Sequence, residues 1–218
     1  MFSRTERVEF TSAAGAIPLV GEIDWPAQRK PQVPAVIFSH GWGSGKASPR
    51  NRIIAGALAE AGIAAFRIDF TGHGESGGSE IQSTLGQQVA DLSAAVDHLA
   101  THFGLTCLGL AGSSSGGLAA LRVASREPRL AALVLREPRS EGMEAEASRI
   151  TAPTLLIQGG EASPLHAAIR RLAAIMTCPH RLLVIEGGGH LFEAPGTFDI
   201  VSEETVRWFR THLPLASP

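Results

Sequence analysis

The sequence predicts an α/β fold in a single domain, 1–218, with a mostly parallel central sheet, helices on both faces and no cap domain. Three observations carry this expectation. Short apolar runs alternate with helical stretches from Val33 onward, which is the pattern of a doubly covered parallel sheet. Those runs are continuous rather than alternating, as strands buried on both faces must be. At 218 residues the chain has the length of one domain with a sizeable core.

Two extended segments come first, Arg7 to Thr11 and Ile17 to Trp25. The apolar runs that follow are Val33 to Ser39, Ile63 to Asp69, Leu105 to Ala111, Leu130 to Leu135, Thr154 to Gln158 and Arg181 to Glu186. Helices are expected between them at Pro49 to Ala61, Thr84 to Phe103, Ser115 to Ser125, Pro164 to Met176 and Phe198 to His212. The second is marked by Leu85, Val89, Leu92, Val96, Leu99 and Phe103 at helical spacing, with Thr84 and Gln87 reading as its capping box. The stretch between Arg136 and Ala152 is too short for a helical cap, so the site should be open. Only the tail after Leu213 reads as frayed.

Composition narrows the function classes. With 44% hydrophobic and 18% charged residues the chain is globular, and a net charge of -2 offers no long-range attraction to nucleic acid or anionic lipid. Neither is expected as a partner. Met1 to Phe10 lacks the apolar core of a signal peptide and no apolar run is of membrane-spanning length, so a cytoplasmic location is expected. Cys107 and Cys178 fit reduced thiols better than a disulfide or a zinc site.

Three motifs carry chemistry. Gly112-Ser113-Ser114-Ser115-Gly116 spells G-x-S-x-G between a predicted strand and a predicted helix, where small residues permit the sharp turn that exposes a nucleophile. Ser114 is the expected nucleophile, and the Ser115 amide, at the positive end of a helix, an expected oxyanion donor. His40-Gly41-Trp42-Gly43-Ser44-Gly45 follows the strand Val33 to Phe38; its turn should present the main-chain amide of Trp42 as the second donor, with His40 structural. Gly45-Lys46 superficially resembles a phosphate loop, but Ala47 cannot ligate magnesium. Gly72-His73-Gly74-Glu75-Ser76-Gly77 spells G-x-G-x-x-G without a helix opening at its end. Gly187-Gly188-Gly189-His190, past the last strand, puts a histidine on a loop able to reach back to the serine, as a general base requires. The remaining histidines, His73, His98, His102, His166, His180 and His212, are expected at the solvated surface.

In this order HGWGSG, DFTGHGESGG, GSSSGG and GGGH resemble the α/β-hydrolase superfamily across nearly the whole chain from Val33 onward. More narrowly, HGWGSGKASPRN and HLFEAPG are similar to small dienelactone-hydrolase-like proteins, and the Asp69 to Gly78 loop to that of bacterial carboxylesterases and acylglycerol lipases. True dienelactone hydrolases use cysteine where this chain has Ser114, which favours ordinary ester hydrolysis. The resemblance implies an acid after the strand Thr154 to Gln158, yet the turn reads Gly159-Gly160-Glu161-Ala162-Ser163 with Ala162 at the acid's place. Glu161 is the expected acid, with Glu137 or Glu141, after the preceding strand, as alternatives.

The expected activity is hydrolysis of carboxylic ester-type bonds, thioesters and lactones included, on a small-molecule acyl substrate without metal or organic cofactor. Trp42, His73, Met143, Leu191 and Phe192 are candidate walls of the substrate site. Acyl transfer or cyclisation would use the same residues. A non-catalytic scaffold that has lost its acid is the competing class. The sequence does not specify an oligomeric state.

Overall fold

The computed structural model describes residues 4–28, 32–161 and 163–213. Ala162 and the tail after Leu213 lie outside the described residues. Eight strands form one sheet: β1 (Arg4–Thr11), β2 (Pro18–Trp25), β3 (Ala35–Ser39), β4 (Ala64–Ile68), β5 (Leu108–Ser113), β6 (Leu130–Arg136), β7 (Thr154–Gly159) and β8 (His180–Ile185). Their order is β1-β2-β4-β3-β5-β6-β7-β8, with β1, β2 and β4 joined antiparallel and every pairing from β4 to β8 parallel. The helices are α1 (Pro49–Glu60), α2 (Leu85–Thr101), α3 (Ser115–Ala124), a four-residue α4 (Glu144–Ala147), α5 (Leu165–Ile175) and α6 (Thr197–His212). Each long helix coincides with an expected one to within a few residues at its ends. Thr84 caps α2 by accepting the Gln87 amide at 3.3 Å, but the Gln87 side chain turns to Ser12, Ala14 and Asp91 instead of closing the box. The reciprocal box forms one turn earlier, at Ser79 and Gln82 around a 3-10 turn.

β3 to β7 are buried on both faces because two apolar layers cover them. One contains Leu92, Val96, Leu99, Leu121, Ile169 and Leu172 from α2, α3 and α5; the other contains Ile54, Leu58, Val201 and Phe209 from α1 and α6. The chain leaves β3 toward β4 and then crosses back to β5 on the other side, so the strand order reverses between β3 and β5. Loops diverge there above the carboxyl ends of the strands, and α/β sheets open a ligand crevice at that point. Among the described residues β8 pairs only with β7, and it is largely exposed, with Val184 42% accessible. No helix among the described residues is long and apolar enough to cross a membrane, and no group of three or more His, Cys, Asp or Glu is placed to hold a metal ion.

Candidate active site

Ser114 sits at the reversal point, between the end of β5 and the first residue of α3. Its backbone is left-handed, φ 51° and ψ -122°, a conformation that costs a non-glycine residue of order 1–3 kcal/mol and survives only where the surroundings enforce it. The surroundings are close. A Cβ on Gly112 would lie 2.8 Å from both Gly117 Cα and Ala120 Cβ, and one on Gly116 would lie 2.3 Å from the His40 carbonyl oxygen. The flanking glycines therefore let helix, strand and the loop after β3 converge around one half-buried serine. Ser39 Oγ donates to the Gly116 carbonyl at 2.7 Å, fastening that loop to the elbow.

The loop after β3 is held by buried polar groups. His40 Nε2 accepts the Phe70 amide at 3.1 Å and its Nδ1 faces the Gly41 carbonyl at 2.9 Å. Burial pushes the His40 imidazole down to about 4, with the His73 ring adding to the effect and Gly41 and Asp69 opposing it. Lys46 Nζ reaches Asp69 at 2.7 Å, and the same carboxylate accepts the amides of Lys46 at 2.7 Å and Glu75 at 3.0 Å. Arg67, paired with Glu22 and Asp24 at 2.8 Å each, donates to the Lys46 carbonyl. Lys46 thus clamps this loop to the Asp69–Gly78 loop and does not stand free for a phosphate.

The Trp42 amide points at the elbow and donates to Ser115 Oγ at 2.7 Å, while the indole is 76% exposed. The Ser115 amide opens α3, where helical amides lack intrahelical acceptors. The two expected oxyanion donors are therefore adjacent, and the Ser115 hydroxyl occupies one of them. Ser115 thus contributes a side-chain contact beyond the main-chain role expected of it.

His190 stands exposed on the loop after β8. Its Nδ1 lies 3.6 Å from Oε2 of Glu137, a buried residue one past the end of β6 with φ 45°. Glu137 Oε1 accepts the Gly159 amide at 2.6 Å and lies 3.4 Å from His166 Nε2. Burial works to raise the Glu137 carboxyl, but His190, the Gly159 amide and His166 outweigh it, and its pKa is lowered. No direct hydrogen bond joins Ser114 Oγ to His190.

The expected acid is placed differently. The Glu161 amide donates to the Gly188 carbonyl at 3.0 Å and its exposed carboxylate lies against Gly189, without an ion pair or hydrogen bond to His190. The glycines ahead of it serve backbone approach, since a Cβ on Gly159 would lie 2.1 Å from the Gly188 carbonyl oxygen. Glu141 accepts the Ser140 amide at 3.1 Å on the surface. Of the alternatives, Glu137 is the carboxylate that the fold brings to the histidine.

Among the candidate walls, Trp42 and Leu191 are exposed, and the Leu191 carbonyl is tied to α1 by Arg50 Nε at 2.8 Å. Phe192 and Met143 are 2% accessible and belong to the cores, so neither meets a ligand as placed. His73, 6% accessible, packs its ring 5.1 Å from that of His40. His73 and His166 are buried, contrary to the surface role expected from their turn and helix contexts. His166, Ile169 and Leu172 lie on the buried side of α5, and His166–Ile169 at a spacing of three was the available signal.

Residues 30–141 match the family model described as serine aminopeptidase, S33. A dienelactone hydrolase from Anabaena variabilis superposes with a TM-score of 0.85 at 30% identity, covering 96% of this chain and 99% of that one. Est1E from Butyrivibrio proteoclasticus, with ferulic acid bound, shares the fold at a TM-score of 0.85 and 20% identity over 94% and 98% of the two chains. Mycobacterium tuberculosis proteins whose name proposes a phosphoribosyl transferase are 34% identical over 96% of this chain but 47% of their own length. The chain thus spans about half the length of those curated relatives. It belongs to the serine aminopeptidase S33 family of α/β hydrolases, in the company of small dienelactone-hydrolase-like esterases.

Proposed function

We propose that this α/β hydrolase cleaves carboxylic ester-type bonds through an acyl-enzyme on Ser114, with His190 as general base and Glu137 as the acid that orients it. The strained Ser114 elbow, in a chain that also brings Glu137 to His190, is the observation that carries the reading. Ser114 attacks the carbonyl, His190 takes the hydroxyl proton and returns it to the leaving alcohol, and a water repeats the sequence on the acyl-enzyme. The oxyanion is held by the amides of Trp42 and Ser115 once the Ser115 hydroxyl releases the former. A depressed Glu137 carboxyl keeps its charge to face the imidazolium that forms. Trp42 and Leu191, exposed at the mouth, suit small or extended acyl groups.

With Glu137 beside the base, the scaffold reading loses the missing acid that motivated it. The transferase name of the mycobacterial relatives describes proteins about twice this length and is not extended to this chain. The test combines a fluorophosphonate probe with hydrolysis of short-chain aryl esters. Wild type should label and turn over, and S114A should do neither. E137Q should lower kcat by about two to four orders of magnitude, while E161Q stays within about threefold. Labelling of S114A, or a severe E161Q beside a silent E137Q, would overturn the assignment.

A further inference from the structure

Glu137 has a second histidine. His166, in the first turn of α5, is buried, and its Nε2 lies 3.4 Å from Glu137 Oε1 while His190 Nδ1 faces Oε2 at 3.6 Å. The carboxylate is thus bracketed by two imidazoles, with the Gly159 amide as a third contact on Oε1. Beyond these charge contacts, neither His166 Nε2 nor Glu137 Oε2 has a hydrogen-bond partner among the described residues, and both atoms are shielded from solvent. Leaving such groups unpaired costs about 1–3 kcal/mol each. An ionised carboxylate can only accept, so the His166 nitrogen facing it must carry the hydrogen; the opposite tautomer would set lone pair against lone pair in a dry site. The ring is aimed by the turn beneath it, where the His166 amide donates to the Ser163 carbonyl at 3.2 Å and the Leu165 amide to Ser163 Oγ at 3.2 Å.

We propose that His166 is a positioning residue, the outer member of a chain Ser114–His190–Glu137–His166. Its Nε2–H holds the Glu137 carboxylate ionised and turned toward His190. The Gly159 amide and His166 Nε2 converge on the same oxygen, Oε1, from two directions, so that together they hold it in place and keep Oε2 toward His190. This deepens the acyl-enzyme reading and rests on it. Partners of this outer kind, where they orient metal ligands, are worth about 10- to 100-fold in activity, and a similar size is expected here.

The test is steady-state ester hydrolysis by H166L, H166Q, E137Q and H166L/E137Q, with nitrogen NMR of the histidine rings. H166L keeps the volume and removes the donor: kcat should fall about 10- to 100-fold with KM within about threefold. H166Q restores an N–H donor and should recover to within about fivefold of wild type. In the E137Q background H166L should add no further loss, because it acts through that carboxylate. In wild type the His166 ring should be protonated on Nε2, and its signal should move in E137Q; this holds even if H166L does not fold. An undiminished kcat in H166L, a loss that H166Q shares in full or that simply adds to E137Q, or a ring protonated on Nδ1 would overturn the role. A wild type without Ser114-dependent turnover, its His166 signal still responding to E137Q, would instead overturn the acyl-enzyme reading and the role with it.

Discussion

His40 should make the protein acid-labile well before its carboxylates titrate. The ring is 2% accessible, accepts the Phe70 amide through Nε2 and packs against the rings of Phe70 and His73 at 4.7 and 5.1 Å. Protonation would place a second hydrogen against an N–H that already donates. Burial accordingly lowers its pKa from 6.5 to about 4. The unfolded chain therefore binds the proton first: this contribution to stability is complete above about pH 6.5 and is lost as the pH falls from there toward 4. For that shift, the linkage relation gives a loss of about 2 kcal/mol between roughly pH 7.5 and 5. In a chain of this size about 2 kcal/mol corresponds to about 4–8 °C in Tm. The assay is urea unfolding at several pH values for wild type and H40Q, whose amide oxygen can still accept the Phe70 N–H but cannot titrate. H40Q should lack the extra slope. Equal pH dependence of the two proteins would refute the assignment of that proton to His40.

The remaining predictions concern the elbow. S115A removes the hydroxyl that occupies the Trp42 amide, so ester hydrolysis should persist with KM equal or lower; a kcat drop beyond about 100-fold would mean the hydroxyl itself donates to the oxyanion. G116A forces a Cβ to within 2.4 Å of the Ser39 and His40 carbonyl oxygens, where only backbone can yield. It should destabilise by about 1–3 kcal/mol in urea unfolding and slow probe labelling, and a neutral outcome in both would contradict the packing described.

The elements with strong punctuation were legible in the sequence. The central strands read correctly because being covered on both faces makes them continuous apolar runs, and the elbow because its glycines are sterically obligatory. Glu137, the carboxylate that meets His190, was legible only as one of several, since Glu137, Glu141 and Glu161 differ in where the chain turns after β6 and β7, and no periodicity encodes that. The +45° φ of Glu137 and the approach of Gly188 to Gly159 are long-range outcomes. Phe192 and Met143 read as mouth residues because their loops lie near the site, whereas the side chains fold inward to fill the two cores. Ser115 was read for its amide, and its hydroxyl was found only when the facing loop was in place.

The proposed base, His190, follows a strand at the edge of the sheet. Among the described residues β8 has one neighbour, and its loop meets Glu137 through the His190 side chain, while Ser114 and Glu137 follow central strands paired on both sides. Opening of an edge strand requires far less free energy than global unfolding. Phe192, two residues beyond His190, and Phe209 on α6 are both buried in the core and anchor the segment that follows β8. The proposed machinery is therefore divided between the centre of the sheet and its edge. Warming should separate histidine from serine reversibly at temperatures where the nucleophile elbow is still intact, so catalytic output would fade below the melting transition and return on cooling.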